Sequence, residues 1–181
     1  HKPDRRQRQM CIRDRVRAQY QEMIAAYEEA GVNVYQIPAE AGLPYQVYAR
    51  DSSVMTPWGA IIMQMEKPYR RGEYAAVLRF YLEHGIPIYD IVSAGNVEGG
   101  DFMVLKPGVA ICGYSGERSI EPAVNQLKNW FEAEGWEFMT YAFDPHFLHL
   151  DVQMGMIAED LAVVCVAVSY THLTLPTIRL V

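Results

Sequence analysis

Residues 98–142 read EGGDFMVLKPGVAICGYSGERSIEPAVNQLKNWFEAEGWEFMTYA, and three local patterns follow one another in this stretch. Two short apolar runs, FMVL and VAICGY, flank Pro107-Gly108, a dipeptide that turns the chain back between paired strands. From Ile120 to Glu134 apolar residues recur at three- and four-residue spacing, which predicts a helix with one buried face. Gly135 stands where a helix stops in a left-handed cap, and the chain from Trp136 to Tyr141 then turns extended. The unit is strand, strand, helix, strand.

Working outward, the same unit recurs. Upstream, SSVMTPWGAIIMQ reads as a strand pair, Glu73 to His84 as a helix, Gly85 as its stop and IPIYDI as the closing strand. Gly85 and Gly135 lie 50 residues apart. A helix from Val16 to Ala30 ends the same way at Gly31, before VNVYQI, which is expected to be extended. Downstream, VQMGMIAEDLAVVCV is a third strand pair. Repeats of this length imply an array or a propeller, here of class α/β. An acidic residue opens each strand pair in step: Asp51, Asp101 and Asp151. Any one of them alone could simply cap a turn. Units arranged around a shared axis would bring all three carboxylates to one pocket.

Both ends break the pattern. Met10-Cys11-Ile12-Arg13-Asp14, back-translated as ATG TGT ATA AGA GAC, has a reverse complement that encodes Val168-Ser169-Tyr170-Thr171-His172. The match continues outward, from Arg5 to Gln9 against Leu173 to Thr177. Opposite-strand identity has no physical basis in a protein, and the DNA looks like a library adapter. Residues 1–15 and 168–181 are therefore expected to be non-native tails around a partial domain at 16–167. The basic start would otherwise suggest a nucleic-acid-binding arm. Of 16 Lys+Arg and 22 Asp+Glu, six bases and two acids precede Val16 and Arg179 follows Ala167, leaving 9 bases against 20 acids between. Such a segment repels a phosphate backbone and suits a compact cation. No apolar run spans a bilayer or makes a signal peptide, so a soluble, cytoplasmic domain is expected. Cys11, Cys112 and Cys165 have no framework spacing; the last two sit in apolar runs and are expected to be buried and reduced.

Several side chains carry chemical potential. Glu98 and Asp101 flank Gly99-Gly100, whose backbone is free to bend and to approach a ligand closely. His149 and Asp151, two apart in a strand-like stretch, are expected to face the same way. A lone histidine is ordinarily a core residue, but beside carboxylates it becomes a general acid or base. His146, His149, Asp151, Glu98 and Asp101 are all potential metal ligands, yet no metal-binding spacing connects them and no metal is expected. Arg70, Arg71 and Arg118 lie near helix starts, where a cation opposes the helix dipole; surface solvation explains one of each pair, and the other could bind an anionic group such as a substrate carboxylate.

Five motifs, Tyr48-Ala49-Arg50-Asp51, Arg70-Arg71-Gly72-Glu73, Glu98-Gly99-Gly100-Asp101, Gly116-Glu117-Arg118-Ser119 and His149-Leu150-Asp151, occur in an order that resembles the arginine deiminases and dimethylarginine dimethylaminohydrolases. The resemblance implies the pentein fold, a five-bladed α/β propeller of which about three repeats are present. It implies that His149 and Glu98 are catalytic, that Asp51 and Asp151 hold guanidinium nitrogens with Asp101 supporting that shell, and that Arg70 and Arg118 clamp a substrate carboxylate. It further implies a small guanidino substrate derived from arginine, with no nucleic-acid or membrane partner. In such enzymes a cysteine thiolate attacks the guanidinium carbon, His protonates the departing amine, and water releases citrulline from a thiouronium intermediate, without metal or organic cofactor. No cysteine of this chain matches that nucleophile, so the chain by itself is expected to be inactive. An amidinotransferase shares the intermediate, and a non-catalytic binder of arginine-like ligands would need no cysteine.

Overall fold

A computed structural model describes the backbone of residues 5–165 and 179–180 and the side chains of residues 12–165. The chain forms two compact units, His1–Ile37 and Pro38–Val181. The first is the helix α1 (Arg5–Glu29) and its exit. The helix crosses Arg15-Val16 without a break, so the expected edge of the leading tail leaves no mark on the backbone. At its end Gly31 takes φ +81°, with Gly31 N–H bonded to Glu28 O and Val32 N–H to Tyr27 O. That pair of bonds is the glycine stop expected from the sequence. The run after it is not a strand, contrary to expectation. A strand needs a ladder partner, and among the described residues no hairpin precedes α1 to supply one.

The second unit contains the repeat. The first copy is β1 (Ser53–Thr56), β2 (Gly59–Ile62), α2 (Glu73–Glu83) and β3 (Ile88–Ile91); the second is β4 (Phe102–Lys106), β5 (Val109–Tyr114), α3 (Glu121–Ala133) and β6 (Glu137–Ala142). A third begins with β7 (Met154–Ala158) and β8 (Leu161–Val164), and β8 pairs with a short β9 (Arg179–Leu180). That short strand is the one described part of the trailing tail expected at residues 168–181; the rest lies outside the described residues. Within each sheet the first two strands pair antiparallel and the third adds parallel to the second. A parallel neighbour requires a crossover, which α2 and α3 supply. Among the described residues no helix is long and apolar enough to cross a membrane.

The central strands carry the core. In β5, Ala110 and Cys112 pack into a cluster with Ile61, Phe102, Leu127, Phe131 and Phe138, while Ile111 joins Met103, Leu150, Met154 and Ala162. Alternate side chains of one strand thus bind the second repeat to the first on one face and to the third on the other. The first strand of each repeat lies at its sheet's edge. These edges, Ser53–Met55, Phe102–Val104 and Met154–Met156, line one cavity of about 790 Å³. They are the strands that an axis of repeat would bring together.

Cys112 is buried as expected, but Cys165 is exposed. Burial alternates along the end of β8, with Ala162 and Val164 inside and Val163 and Cys165 outside. Apolar neighbours in sequence are therefore a poor guide to the side on which Cys165 falls.

Candidate active site

Each edge strand is entered through a 3-10 turn: Ala49–Asp51, Gly99–Asp101 and Leu150–Val152. These turns are linked by a repeated clasp. Asp51 Oδ1 accepts the N–H of Gly100 at 3.2 Å, and Asp101 Oδ1 accepts the N–H of Leu150 at 2.9 Å, each bond spanning 49 residues. The paired glycines make the approach possible. A Cβ on Gly99 would stand 2.0 Å from the carbonyl oxygen of Arg50, and one on Gly100 2.8 Å from the ring of His149. The close approach read from the sequence is thus to the protein's own backbone and imidazole.

That imidazole is the centre of the site. His149 Nε2 lies 3.4 Å from Glu98 Oε2 and 4.0 Å from Asp51 Oδ1, and Nδ1 lies 3.2 Å from Asp101 Oδ2. All four side chains are buried, Glu98 and Asp101 completely. Among the described residues Nδ1 has Asp101 Oδ2 as its one polar neighbour at close range, a contact that becomes an ion pair when the ring is protonated. Burial pushes the His149 pKa down, but Asp101, Asp51 and Glu98 together outweigh it and the net shift is upward. Burial likewise raises the Glu98 carboxyl, against the N–H of Glu66, Arg118 and His149.

Two arginines balance the acids. Arg70 is buried in the 3-10 turn Pro68–Arg70, donating to Glu73 at 2.8 and 3.0 Å and to Asp51 Oδ2 at 3.0 Å. It lies 3.8 Å from Glu98, and its guanidinium sits over the ring of Tyr48 at 5.6 Å. Arg118 reaches the Glu98 carboxylate at 3.2 Å and is held from behind by Asn96, whose amide donates to the Glu117 and Arg118 carbonyls. Asp51, Glu98 and His149 place one donor atom each within 4.8 Å, a spacing compatible with a metal ion. Arg70 and Arg118 pair with these two carboxylates.

Other residues fall differently from expectation. The segment carrying His146 and His149 is a loop, with His146 exposed and His149 buried. His149 and Asp151 do not share a strand face, because the turn Leu150–Val152 separates them. Asp151 accepts from Arg50 Nε at 3.1 Å, and Arg50 also donates to the Phe102 carbonyl, so Asp151 caps the axial cavity while Asp51 and Asp101 converge on His149. Sequence reading assigned no role to Glu73 or Ser119. Both stand in quoted motifs, but only Glu73, three residues after Arg70, has a spacing that pairs charges on one turn; nothing around Ser119 points to its partners.

The sequence matches the family described as N,N dimethylarginine dimethylhydrolase, eukaryotic, over residues 1–171. The chain belongs to this family. With it comes membership of the pentein superfamily of guanidino-modifying enzymes, which agrees with the α/β repeats described above. The fold superposes on a dimethylarginine dimethylaminohydrolase in adduct with S-methyl-L-thiocitrulline, with TM-score 0.76 at 22% identity over 91% of this chain and 64% of that one. The Pseudomonas aeruginosa enzyme complexed with citrulline gives 0.72 at 21%, covering 81% and 57%. The substrate-bound N-terminal domain of ArgZ, a cyanobacterial arginine dihydrolase, gives 0.74 at 18%, covering 83% and 55%. In sequence the chain is 28% identical to the uncharacterized protein YkgA of Bacillus subtilis over 81% of its length. It spans about half, 49%, of that curated relative. Among the dimethylaminohydrolase motifs, Cys112 is no candidate nucleophile, since burial, aided by the Asp101 charge, holds its thiol well above the usual range.

Proposed function

We propose that the complete protein hydrolyses the guanidino group of arginine or a methylated arginine to citrulline, and that this chain carries its acid–base and guanidinium-binding half. The observation that carries the reading is one buried imidazole between Glu98 and Asp101, with Asp51 4.0 Å from the same ring. A planar cation with donors around its rim is best held by several carboxylates, and the cluster already holds two guanidinium groups of the chain itself.

In this reading Asp51 and Glu98 hold the substrate guanidinium, with Asp151 at the mouth releasing Arg50 to join them. Arg118, the more accessible arginine, takes the substrate carboxylate; Arg70 supplies the second positive charge from its buried pairing. A cysteine thiolate from outside the described residues bonds to the guanidinium carbon. His149 gives its proton to the departing amine as the C–N bond breaks, leaving a thiouronium. Neutral His149 then takes a proton from water attacking the same carbon, the C–S bond breaks, and the ureido product and thiolate are released. The upward-shifted His149 keeps that proton available near neutral pH.

Supplying the complete protein separately with arginine and dimethylarginine tests the reading. Citrulline should form in water together with ammonia or dimethylamine. Product appearing only when an amine acceptor is added would replace hydrolysis by amidino transfer, and tight arginine binding without product would make the protein a binder.

A further inference from the structure

We propose that Ser119 is a positioning residue for His149, a role that matters for catalysis only if the hydrolase reading holds. Ser119 is completely buried and its single hydroxyl joins both acids that flank the imidazole. Oγ donates to Asp101 Oδ2 at 2.5 Å and accepts the Glu98 N–H at 3.1 Å. Asp101 Oδ2 is the oxygen 3.2 Å from His149 Nδ1, and Glu98 Oε2 is the oxygen 3.4 Å from Nε2. One hydroxyl therefore fixes the oxygen that faces Nδ1 and the backbone of the residue whose carboxylate faces Nε2. The other Asp101 oxygen, Oδ1, accepts the Leu150 N–H, so the two bonds together set the carboxylate plane.

The charged groups around the ring are Asp51, Glu98 and Asp101, with Arg70 and Arg118 meeting the same Glu98 oxygen that faces Nε2. Of the three acids, Asp101 alone faces Nδ1. Held there, it favours the proton on Nδ1, which in the neutral ring leaves Nε2 as the basic atom toward the ligand side. Without the serine hydroxyl, Asp101 loses the bond that aims Oδ2, and Glu98 N–H becomes a buried donor without an acceptor.

Titration of His149 by imidazole NMR in this chain tests the proposal without requiring turnover. Ser119→Ala should lower the His149 midpoint by about one pH unit and move the neutral ring toward the Nε2–H tautomer. Ser119→Thr, which keeps the hydroxyl, should restore most of the shift, and an unchanged amide spectrum shows that the fold persists. In an Asp101→Asn background the further change Ser119→Ala should move the midpoint little, because the serine acts through Asp101. In the complete protein Ser119→Ala should reduce kcat about tenfold or more with KM nearly unchanged. A midpoint that stays or rises in Ser119→Ala, or that falls equally in the Asp101→Asn background, overturns the proposal. A lowered midpoint in a complete protein that makes no citrulline would leave Ser119 in place and remove the hydrolase reading.

Discussion

At the residue scale the site is a buried charge balance, and its most exacting member is Arg70. The guanidinium meets Asp51, Glu73 and Glu98 with its side chain 6% exposed, so its removal leaves acids with no solvent to replace it. Arg70→Ala should cost about 3–5 kcal/mol in denaturant unfolding, the range for breaking a buried ion pair from one side. Arg70→Lys should recover little, since an ammonium cannot reproduce the fork shared between Glu73 and Asp51. A loss under about 1 kcal/mol would show that the acids rearrange freely. The pH dependence has a definite sign. His149 has a folded pKa above 6.5, so its contribution is complete below that value and disappears as pH rises through the folded midpoint. Glu98 is also raised, from 4.5, which again makes the folded state lose stability as pH rises. Melting temperature should therefore fall as pH rises above 6.5, and His149→Gln should flatten that fall. A melting temperature that climbs across this range would contradict the charge assignment.

At the scale of elements, the sequence announced most of the second unit. Pro107-Gly108 marked the turn between β4 and β5, where Gly108 takes φ +83°. The stops at Gly85 and Gly135 form the bonds that sequence position alone suggested, Ile86 N–H to Tyr81 O and Trp136 N–H to Phe131 O. Local rules fix these features, so a single sequence shows them. The 3-10 turns were illegible because their defining bonds, Asp51 to Gly100 and Asp101 to Leu150, join residues in neighbouring repeats. The same cause defeated the strand reading of His149 and Asp151: period-two facing presumes an extended backbone, and the turn supplies none. Convergence of Asp51 and Asp101 followed from their spacing, whereas Arg70's internal pairing depends on where α2 begins. Packing is tested at Phe131, which is wholly buried among Trp58, Phe102, Trp136 and Phe138. Phe131→Ala should cost about 3–5 kcal/mol in chemical unfolding. Val104→Ala, at a position 38% exposed, should cost less than about 1 kcal/mol.

At the scale of the molecule, each repeat is stabilised through its neighbours. The second repeat contributes to both apolar clusters, and the edge strands of all three border the axial cavity. Edges β1, β4 and β7 carry Met55, Val104 and Ile157 exposed. Unpaired edges with apolar side chains favour self-association, so this chain alone should run larger than 20.6 kDa on size exclusion as concentration rises. It should also release no citrulline, whereas the complete protein should. In the proposed function, Glu98 and its neighbours around His149 form the guanidinium site of a hydrolase. The most direct measurement is citrulline release by the complete protein compared with its Glu98→Gln variant, at equal fold content by circular dichroism. A loss of at least about 100-fold in kcat/KM is expected, because the substitution removes a carboxylate from both the cation and the imidazole. Release within a few-fold of the unaltered protein would place the chemistry elsewhere.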